Sequence, residues 1–357
     1  MSQLFVGTEA GLKVVTDKGG VWEIEDTILE GKEISATVKL PDGGMVIATR
    51  DDGLFRFFPA TGALEQINDK NFPPVARCIA VDPTDSNRMF VGFEPSAIWR
   101  TLDGGKTWTE CKRVTEMSDE LKWEYHIPQI PSHVRTILID WKDPQRIYAG
   151  VQIGGVLLSE DGGDPWTNVI ETLDPDDHHI AQDPQDPQIM YAATGAGGPM
   201  HGPQPPIAPN GFPIYRSDDR GLTWHSISSD FSRRHGMFVH VDNDKNGTLV
   251  SAAATPIPPT WRTNPRGADA VVVVSNDRGD TWQEVKNGLP ASFPLMVEVI
   301  EKEAKDKGRI YLALGGEGTR ALPKDRHYGE IYYAEDAQGP WQKVDCELPL
   351  IFTLIAA

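Results

Sequence analysis

The sequence predicts an all-β fold: a seven-bladed β-propeller of four-stranded antiparallel blades, its ring closed by the N- and C-terminal strands. Three observations predict it. A turn that ends in tryptophan recurs at a fixed interval, because residues 108, 166, 224, 282 and 341 are tryptophans that stand 58 or 59 residues apart. Each interval contains short β-branched and aromatic segments in a constant order, bounded by Gly, Pro and Asp. No segment shows an amphipathic helical pattern of useful length.

The recurring turn explains itself physically. Asp accepts backbone N–H bonds, Gly tolerates a positive φ, and the tryptophan anchors the turn by burying a large ring. The clearest copies are Thr101–Trp108, Ser159–Trp166, Ser217–Trp224 and Ser275–Trp282, with weaker copies at 15–22 and 334–341. This pattern, S/T-x-D-x-G-x-T-W, resembles the Asp-box (BNR) repeat of sialidases, sortilin-type receptors and photosystem II assembly factors. The resemblance covers almost the whole chain and implies a propeller, but no single function, because those families do unrelated things.

Counting inner strands gives seven blades in a single domain, residues 1–357. The inner strands are expected to begin near Ala36, Ala76, Val134, His178, Met237, Met296 and Ile351. The last of these, at the C-terminus, should join the two N-terminal strands and remove exposed sheet edges. Blade two lacks the tryptophan turn and is expected to turn at 58–62. The 86 residues from Trp22 to Trp108 fit two blades of about 43 residues each.

Composition narrows the classes of partner. The net charge is −18 and no run of Lys or Arg occurs, which argues against nucleic acid and anionic membranes as partners. The three cysteines have no metal-binding or redox spacing, and no apolar run is long enough to span a membrane. The N-terminus enters a strand directly, without the pattern of a signal peptide, so a cytosolic location is expected. The oligomeric state stays open.

Long loops indicate where a ligand would bind. Four insertions are expected on one face of the propeller, at 117–131, 194–212, 254–269 and 315–329. In the Asp-box families, ligands and active sites generally use that face, so the resemblance implies that it is the functional face here. Long loops on a rigid scaffold often carry function. The alternative is that these loops have simply drifted in length.

Histidines cluster at the predicted inner-strand heads of the same face. His133 and His235 occupy equivalent positions in blades four and six, and His178 and His179 head blade five. Imidazoles that converge from adjacent strands suit a divalent metal such as Zn, Mn, Fe, Cu or Ni. Two alternatives stay open. In the first, one of these histidines acts as a general acid or base without a metal; in the second, the histidines have no functional role. His126 and His201, in the loops, and Glu317 are the candidate catalytic groups.

Arginines form a second set on this face. Arg77 and Arg135 occupy the strand position that His178 fills in blade five, while Arg234 and Arg320 lie in or beside loops. Such a cluster could bind a carboxylate, sulfate or phosphate. The alternative is salt bridges to surplus carboxylates. Aromatic candidates for substrate contact are Trp261 and Tyr328. The acidic candidates are each expected to be solvated surface charges: Glu94, Asp176, Asp177, Glu298 and Glu317.

These residues favour a metal-dependent enzyme, of lyase or hydrolase type, that acts on a small anionic or polar substrate at the mouth of the channel. Sialidases use three arginines together with a Tyr–Glu pair and an Asp. The Tyr–Glu pair and the Asp cannot be placed in this chain, which argues against sialidase-like glycoside hydrolysis and leaves it as the second alternative. Xyloglucanase-type glycosidases join two propellers, whereas only one is predicted here. Some seven-bladed polysaccharide lyases combine histidine-bound metal with arginine, which is an analogy of chemistry. The main alternative is a non-catalytic binding or assembly scaffold, as in the photosystem II assembly factors.

Overall fold

Seven four-stranded antiparallel sheets make up the fold, which is a β-propeller as predicted. The computed structural model describes residues 2–123, 131–169, 172–195, 212–244, 246–255, 258–304, 308–320 and 322–357. In that part of the chain no helix is both long enough and apolar enough to cross a membrane.

The strands are numbered in chain order. The first fifteen are β1 Gln3–Thr8, β2 Gly11–Asp17, β3 Trp22–Ile28, β4 Ile34–Lys39, β5 Met45–Thr49, β6 Gly53–Phe58, β7 Ala63–Gln66, β8 Val75–Asp82, β9 Asp85–Glu94, β10 Ala97–Thr101, β11 Thr109–Glu110, β12 His133–Ile139, β13 Ile147–Gln152, β14 Gly155–Ser159 and β15 Thr167–Asn168. The others are β16 Asp177–Gln182, β17 Met190–Thr194, β18 Ile214–Ser217, β19 His225–Ser226, β20 His235–Val241, β21 Leu249–Ala254, β22 Val271–Ser275, β23 Gln283–Glu284, β24 Met296–Lys302, β25 Ile310–Gly315, β26 Glu330–Ala334, β27 Gln342–Lys343 and β28 Ile351–Ala356. The helices are α1 Lys112–Leu121 and α2 Gly316–Thr319, with 3₁₀ turns at Pro258–Arg262 and Lys324–Arg326.

Each sheet, called a blade here, takes four consecutive strands, except the first. Blade one has the order β28-β1-β2-β3, and blades two to seven are β4–β7, β8–β11, β12–β15, β16–β19, β20–β23 and β24–β27. The predicted pairing of the C-terminal strand with the N-terminal strand is therefore confirmed, with Val6 opposite Leu354. The predicted inner strands begin within two residues of the observed ones.

The tryptophan turns are held by short-range hydrogen bonds. In blade four the hydroxyl of Ser159 accepts from the Gly163 N–H at 3.0 Å, and the Trp166 indole donates to the Gly163 carbonyl at 2.8 Å. Gly163 has a φ of 104°, which side chains other than glycine's adopt only with strain. In blade five the Asp219 carboxylate accepts from the Thr223 N–H at 2.8 Å. These bonds explain why Ser or Thr, Asp, Gly and Trp recur together.

The chain divides into two compact units. The first unit contains Met1–Ile34, Phe212–Ile214 and Ile227–Ala357, and the second contains Ser35–Gly211 and Tyr215–Ser226. In the first unit Trp22 packs on Tyr333, with ring centroids 5.5 Å apart. In the second unit β13 and β14 are buried along their whole length, and the Trp108 indole donates to the Ile67 carbonyl at 2.8 Å. Both tryptophans therefore add apolar area to their cores, and the indole N–H of Trp108 is also hydrogen-bonded.

Helix α1 corrects the expectation that the chain has no amphipathic helix. It buries Val114 and Met117, three residues apart, while most of its other side chains are polar. Two buried positions in ten residues are a weak periodic signal, and a helix this short depends on tertiary packing. Its packing partner is β10.

The four predicted insertions differ in structure. The first begins within α1 and continues to the buried Trp123, and 124–130 lie outside the described residues. Most of the second, 196–211, also lies outside them. The third contains the first 3₁₀ turn, and the fourth contains α2 and the second 3₁₀ turn.

Candidate functional site

A bulge recurs at the head of three inner strands in the second unit. The register to the neighbouring strand shifts between Ala76 and Cys78 in β8, between Val134 and Thr136 in β12, and between Asp177 and His179 in β16. Bulges bend a strand and redirect a side chain, and they are common beside active sites. The residues at the shifts are Arg77, Arg135 and His178. They thus occupy equivalent positions in blades three, four and five, as predicted.

These three residues belong to one group of neighbouring polar side chains, here called the polar cluster. It contains Arg77, Glu94, His133, Arg135, Gln152, Asp176, Asp177 and His178. All eight lie in the second unit, at or next to the ends of β8, β9, β12, β13 and β16.

Glu94 lies between Arg77 and His133 and contacts both. The Arg77 guanidinium forms an ion pair with it, with Nε donating to Glu94 Oε2 at 2.6 Å. The same carboxylate oxygen lies 3.7 Å from His133 Nδ1. Both side chains of the ion pair are only 13% exposed, so water screens their attraction less than on an open surface. For Arg77, the salt-bridge alternative is therefore what the structure contains.

His133 has a partner at each ring nitrogen. Nδ1 lies 3.3 Å from the carbonyl of Pro131, and Nε2 lies 3.5 Å from a terminal nitrogen of Arg135. A carbonyl only accepts and a guanidinium only donates. The neutral ring with its proton on Nδ1 satisfies both contacts.

Gln152 connects Arg135 to His178. Arg135 donates to Gln152 Oε1 at 3.0 Å, which directs the amide NH₂ of Gln152 to His178 Nε2 at 3.2 Å. Asp176 Oδ1 lies 3.3 Å from the same His178 nitrogen. A neutral His178 can accept from Gln152, whereas a protonated His178 can donate to Asp176. The arrangement therefore offers His178 one hydrogen-bond partner in each protonation state.

Asp177 is the most buried acid of the cluster. Its side chain is 0% exposed, and within the described part of the chain neither carboxyl oxygen has a hydrogen-bond partner. Burial raises its pKa well above the usual value, and the charges of Asp176 and Asp174 raise it further, while Arg135 opposes them. Asp177 therefore holds a proton beyond the pH range in which an exposed aspartate loses one.

Two glycines make room for this pair of acids. A Cβ on Gly150 would clash with Asp177 Oδ1, and a Cβ on Gly195 would clash with Asp176 Oδ2. Gly150 lies in β13, whose partner strand on one side is β12. The pocket that holds Asp177 thus depends on a residue of the preceding blade.

The structure places the other predicted residues as follows. His179 follows His178 on β16, opposite Ala193. In the first unit, His235 heads β20 and its ring meets the Trp261 ring edge-on, with centroids 5.4 Å apart. His126 and His201 lie outside the described residues. Among the described residues, no group of three or more His, Cys, Asp or Glu side chains could hold a metal ion. The Nε2 atoms of the two cluster histidines face a guanidinium and an amide NH₂, so this arrangement does not fit a divalent cation, and metal binding stays a prediction.

The predicted substrate contacts of the first unit are engaged within that unit. Arg234 lies over the Phe212 ring at 4.9 Å, and Arg320 pairs with Glu33 at 2.5 Å. Trp261 is 1% exposed and donates to the Thr255 carbonyl at 2.8 Å. Tyr328 and Glu317 of α2 are both half-buried. Burial raises the pKa of Tyr328.

Sequence reasoning missed two features of the cluster. Asp176 and Asp177 were expected to be solvated charges, and the structure contradicts this, because they are 8% and 0% exposed. The available signal was their position directly before the strand core, beside two histidines. The second feature is Gln152, which belongs to none of the residue patterns described above. Its position opposite His133 in the β12–β13 ladder could have indicated it.

Comparison with known proteins places the fold. No protein-family model matches the chain. A probable oligoxyloglucan-reducing end-specific xyloglucanase of Neosartorya fischeri is 24% identical over 207 residues, which are 56% of this chain and 22% of that protein. The chain therefore spans about a fifth of the length of the curated relative that it matches.

Solved structures give the same picture. The GH74 enzyme of Niastella koreensis has a TM-score of 0.63 and 15% identity, over 95% of this chain and 46% of that one. A structure of YCF48 bound to D1 peptide has a TM-score of 0.53 and 12% identity, over 87% of this chain and 82% of that one. YCF48 from Cyanidioschyzon merolae has the same score and identity, over 88% and 86%. At these identities the similarity establishes the fold alone, a β-propeller shared with GH74 enzymes and with YCF48.

Proposed function

We propose that this chain is a hydrolase that acts on a carbohydrate by acid–base chemistry at the polar cluster. The observation that carries the proposal is the pair of neighbouring carboxyl groups, Asp176 and Asp177, of which Asp177 is fully buried without a hydrogen-bond partner among the described residues. An uncompensated buried acid is costly, and such groups concentrate at functional sites. The xyloglucanase similarity supports carbohydrate as the substrate class.

The two acids have different roles in this proposal. Asp177 stays protonated and neutral, which leaves Asp176 as the ionised member of the pair. Asp176, whose side chain is 12% exposed, is the general base that activates a water molecule. As the oxygen of that water bonds to the anomeric carbon and the glycosidic bond breaks, the departing sugar oxygen must gain a proton. His178, 3.3 Å from Asp176, supplies that proton and regains one from Asp176, and Gln152 holds the ring when it is neutral.

The arginines hold the cluster in place. Arg135 orients Gln152, and Arg77 holds Glu94 beside His133. Because Glu94 offsets the charge of Arg77, Arg135 is the arginine that would contact a substrate carboxylate, such as that of a uronic acid. A lyase reaction on a uronate uses the same groups, with Asp176 removing a proton from carbon instead of from water.

Turnover of a carbohydrate panel tests the proposal. Purified protein is assayed against neutral and uronate-containing oligosaccharides, with product analysis that separates hydrolysis from elimination. We expect Asp176→Asn to lower the rate about 100-fold or more. Asp177→Asn preserves a neutral side chain of similar shape, so its rate should fall far less. Asp345→Asn, at an exposed carboxyl group, is the matched control. Absence of turnover on the whole panel, or full activity in Asp176→Asn, contradicts the proposal.

Metal dependence is a separate expectation with its own measurement. Metal content is determined by plasma mass spectrometry for the wild type and for the His133→Ala/His178→Ala variant. Near-stoichiometric metal that disappears in the variant would support a metal centre in this region. A metal-free protein that still turns over substrate supports the acid–base proposal as stated.

A binding scaffold is the second candidate function. The observation that favours it is the mutual coverage with YCF48, 87% of this chain and 82% of that one, against 46% of the GH74 enzyme. One YCF48 structure is bound to a peptide. The scaffold candidate predicts saturable binding to members of a peptide array, unaffected by Asp176→Asn, together with no turnover of any carbohydrate.

A further inference from the structure

An open cavity of about 180 Å³ lies in blade six, in the first unit and outside the polar cluster. Its floor is one face of the sheet. Val271 and Val273 alternate along β22 and so point to the same side, and Ala253 of β21 pairs with Val271. All three side chains are buried by the sheet and by the cavity walls. The floor is therefore apolar and rigid.

An aromatic pair forms one wall. Phe231 and Trp282 meet edge-on, with ring centroids 5.6 Å apart and an interplanar angle of 86°. The Trp282 indole donates to the Ile227 carbonyl at 2.8 Å, which holds the ring in place. The corresponding tryptophans of blades four and five, Trp166 and Trp224, are 1% and 5% exposed, whereas Trp282 is half-buried. Part of this indole therefore remains open to the cavity.

The rim carries both signs of charge. It consists of Asp230, Ser232, Arg233, Gln283 and Glu284. Arg233 is held by its Nε–H, which donates to the Asp269 carbonyl at 2.5 Å, and it lies 3.7 Å from Glu284. The rim thus offers hydrogen-bond donors and acceptors around an apolar, aromatic interior.

The ligand class follows from this combination. An anion would face the carboxylates of Asp230 and Glu284, and a cation would face Arg233. A neutral ring with apolar C–H faces and hydroxyl groups at its edge complements both floor and rim. The cavity is smaller than the roughly 300–1,000 Å³ of pockets for drug-sized ligands, so it has room for a single ring. We propose that this cavity binds one neutral sugar residue, as a carbohydrate-binding site separate from the polar cluster.

Binding to small sugars tests this proposal. The neutral probes are D-glucose, D-xylose and cellotetraose, and D-glucuronate is the charged comparison; binding is observed by saturation-transfer NMR and titrated by calorimetry. For about a dozen ligand atoms we expect a Kd on the order of 1 mM for one residue. Ser232→Trp places a large side chain on the exposed rim and is expected to weaken binding tenfold or more. Glu284→Ala removes a rim acceptor and is expected to weaken it severalfold.

Matched controls separate this site from the proposed active site. Glu110→Ala changes the residue at the same position after the tryptophan of blade three, two residues beyond Trp108, and is expected to bind sugar as the wild type does. Ser232→Trp is expected to weaken sugar binding by the same factor in the wild type and in an Asp176→Asn background, because the cavity and the polar cluster are separate sites. Circular dichroism establishes that each variant is folded. No saturable binding of any probe, binding that Ser232→Trp leaves unchanged, or preference for glucuronate over glucose would overturn the proposal.

Discussion

The Asp177→Asn substitution replaces a buried carboxyl group, which can ionise, with an amide of the same shape, which cannot. In the native protein Asp177 keeps its proton, because burial and the neighbouring acids raise its pKa. In the unfolded chain the same carboxyl group ionises near its ordinary pKa of about 3.9. Above that pH the unfolded state binds fewer protons than the native state, so the free energy of unfolding falls as pH rises. Asparagine cannot ionise, and its variant lacks this contribution.

The slope sets the magnitude. One proton of difference between the two states changes the free energy of unfolding by about 1.4 kcal/mol per pH unit. This slope applies from about pH 4, where the unfolded chain ionises, up to the native-state pKa of Asp177. Above that pKa the wild type loses no further stability from this group. Across that window Asp177→Asn is expected to gain stability on the wild type at this rate. The pH at which the gain levels off measures the native pKa.

Denaturant unfolding at half-unit pH steps provides the measurement. The difference between variant and wild type at each pH removes contributions from the other titrating groups, provided they do not contact Asp177. Asp345→Asn, at an exposed carboxyl group, controls for the negative charge that Asp177→Asn removes from the unfolded chain. A stability difference that stays constant from pH 4 to pH 8 would refute the reasoning, because it would mean that Asp177 ionises alike in both states.

Three further substitutions test the packing around the cluster and the turns. Gly150→Ala is expected to lower the free energy of unfolding by about 1–3 kcal/mol, because the added Cβ clashes with Asp177. In an Asp177→Ala background this cost should shrink, and a double-mutant cycle that shows an unchanged cost would contradict the contact. Arg77→Met leaves Glu94 without its ion-pair partner and should lower the free energy of unfolding by about 2 kcal/mol. This is below the roughly 3–5 kcal/mol of a fully buried pair, because both side chains are 13% exposed. Urea unfolding that shows no loss of stability would contradict a stabilising role of the pair. Trp166→Phe removes a buried indole and its hydrogen bond and should cost about 1–3 kcal/mol, measured by guanidinium unfolding, and a neutral result would show that the turn is not anchored there.

Much of the architecture was readable from the sequence, for local reasons. The tryptophan turn needs Ser or Thr, Asp and Gly because their hydrogen bonds and backbone angles close within five residues. Strand starts such as those of β12 and β24 follow from β-branched runs between turns. Helix α1 was missed because only Val114 and Met117 mark its buried face.

The candidate site was readable only in part. The shared register of Arg77, Arg135 and His178 could be aligned from the repeat itself, and the bulges bear it out. The burial of Asp177 could not, since it depends on Gly150 in another blade. Nor could the contact of Gln152 with His178, because no local pattern connects the end of β13 to the head of β16.

By itself, then, the sequence determined the number and order of the repeated strands and where the inner strands begin, because turn chemistry and side-chain alternation act between neighbours along the chain. Only the tertiary structure decided which charged side chains meet at the strand heads, and hence which of them keep a proton. That outcome depends on burial and on contacts between blades, and both are set by residues far apart in sequence.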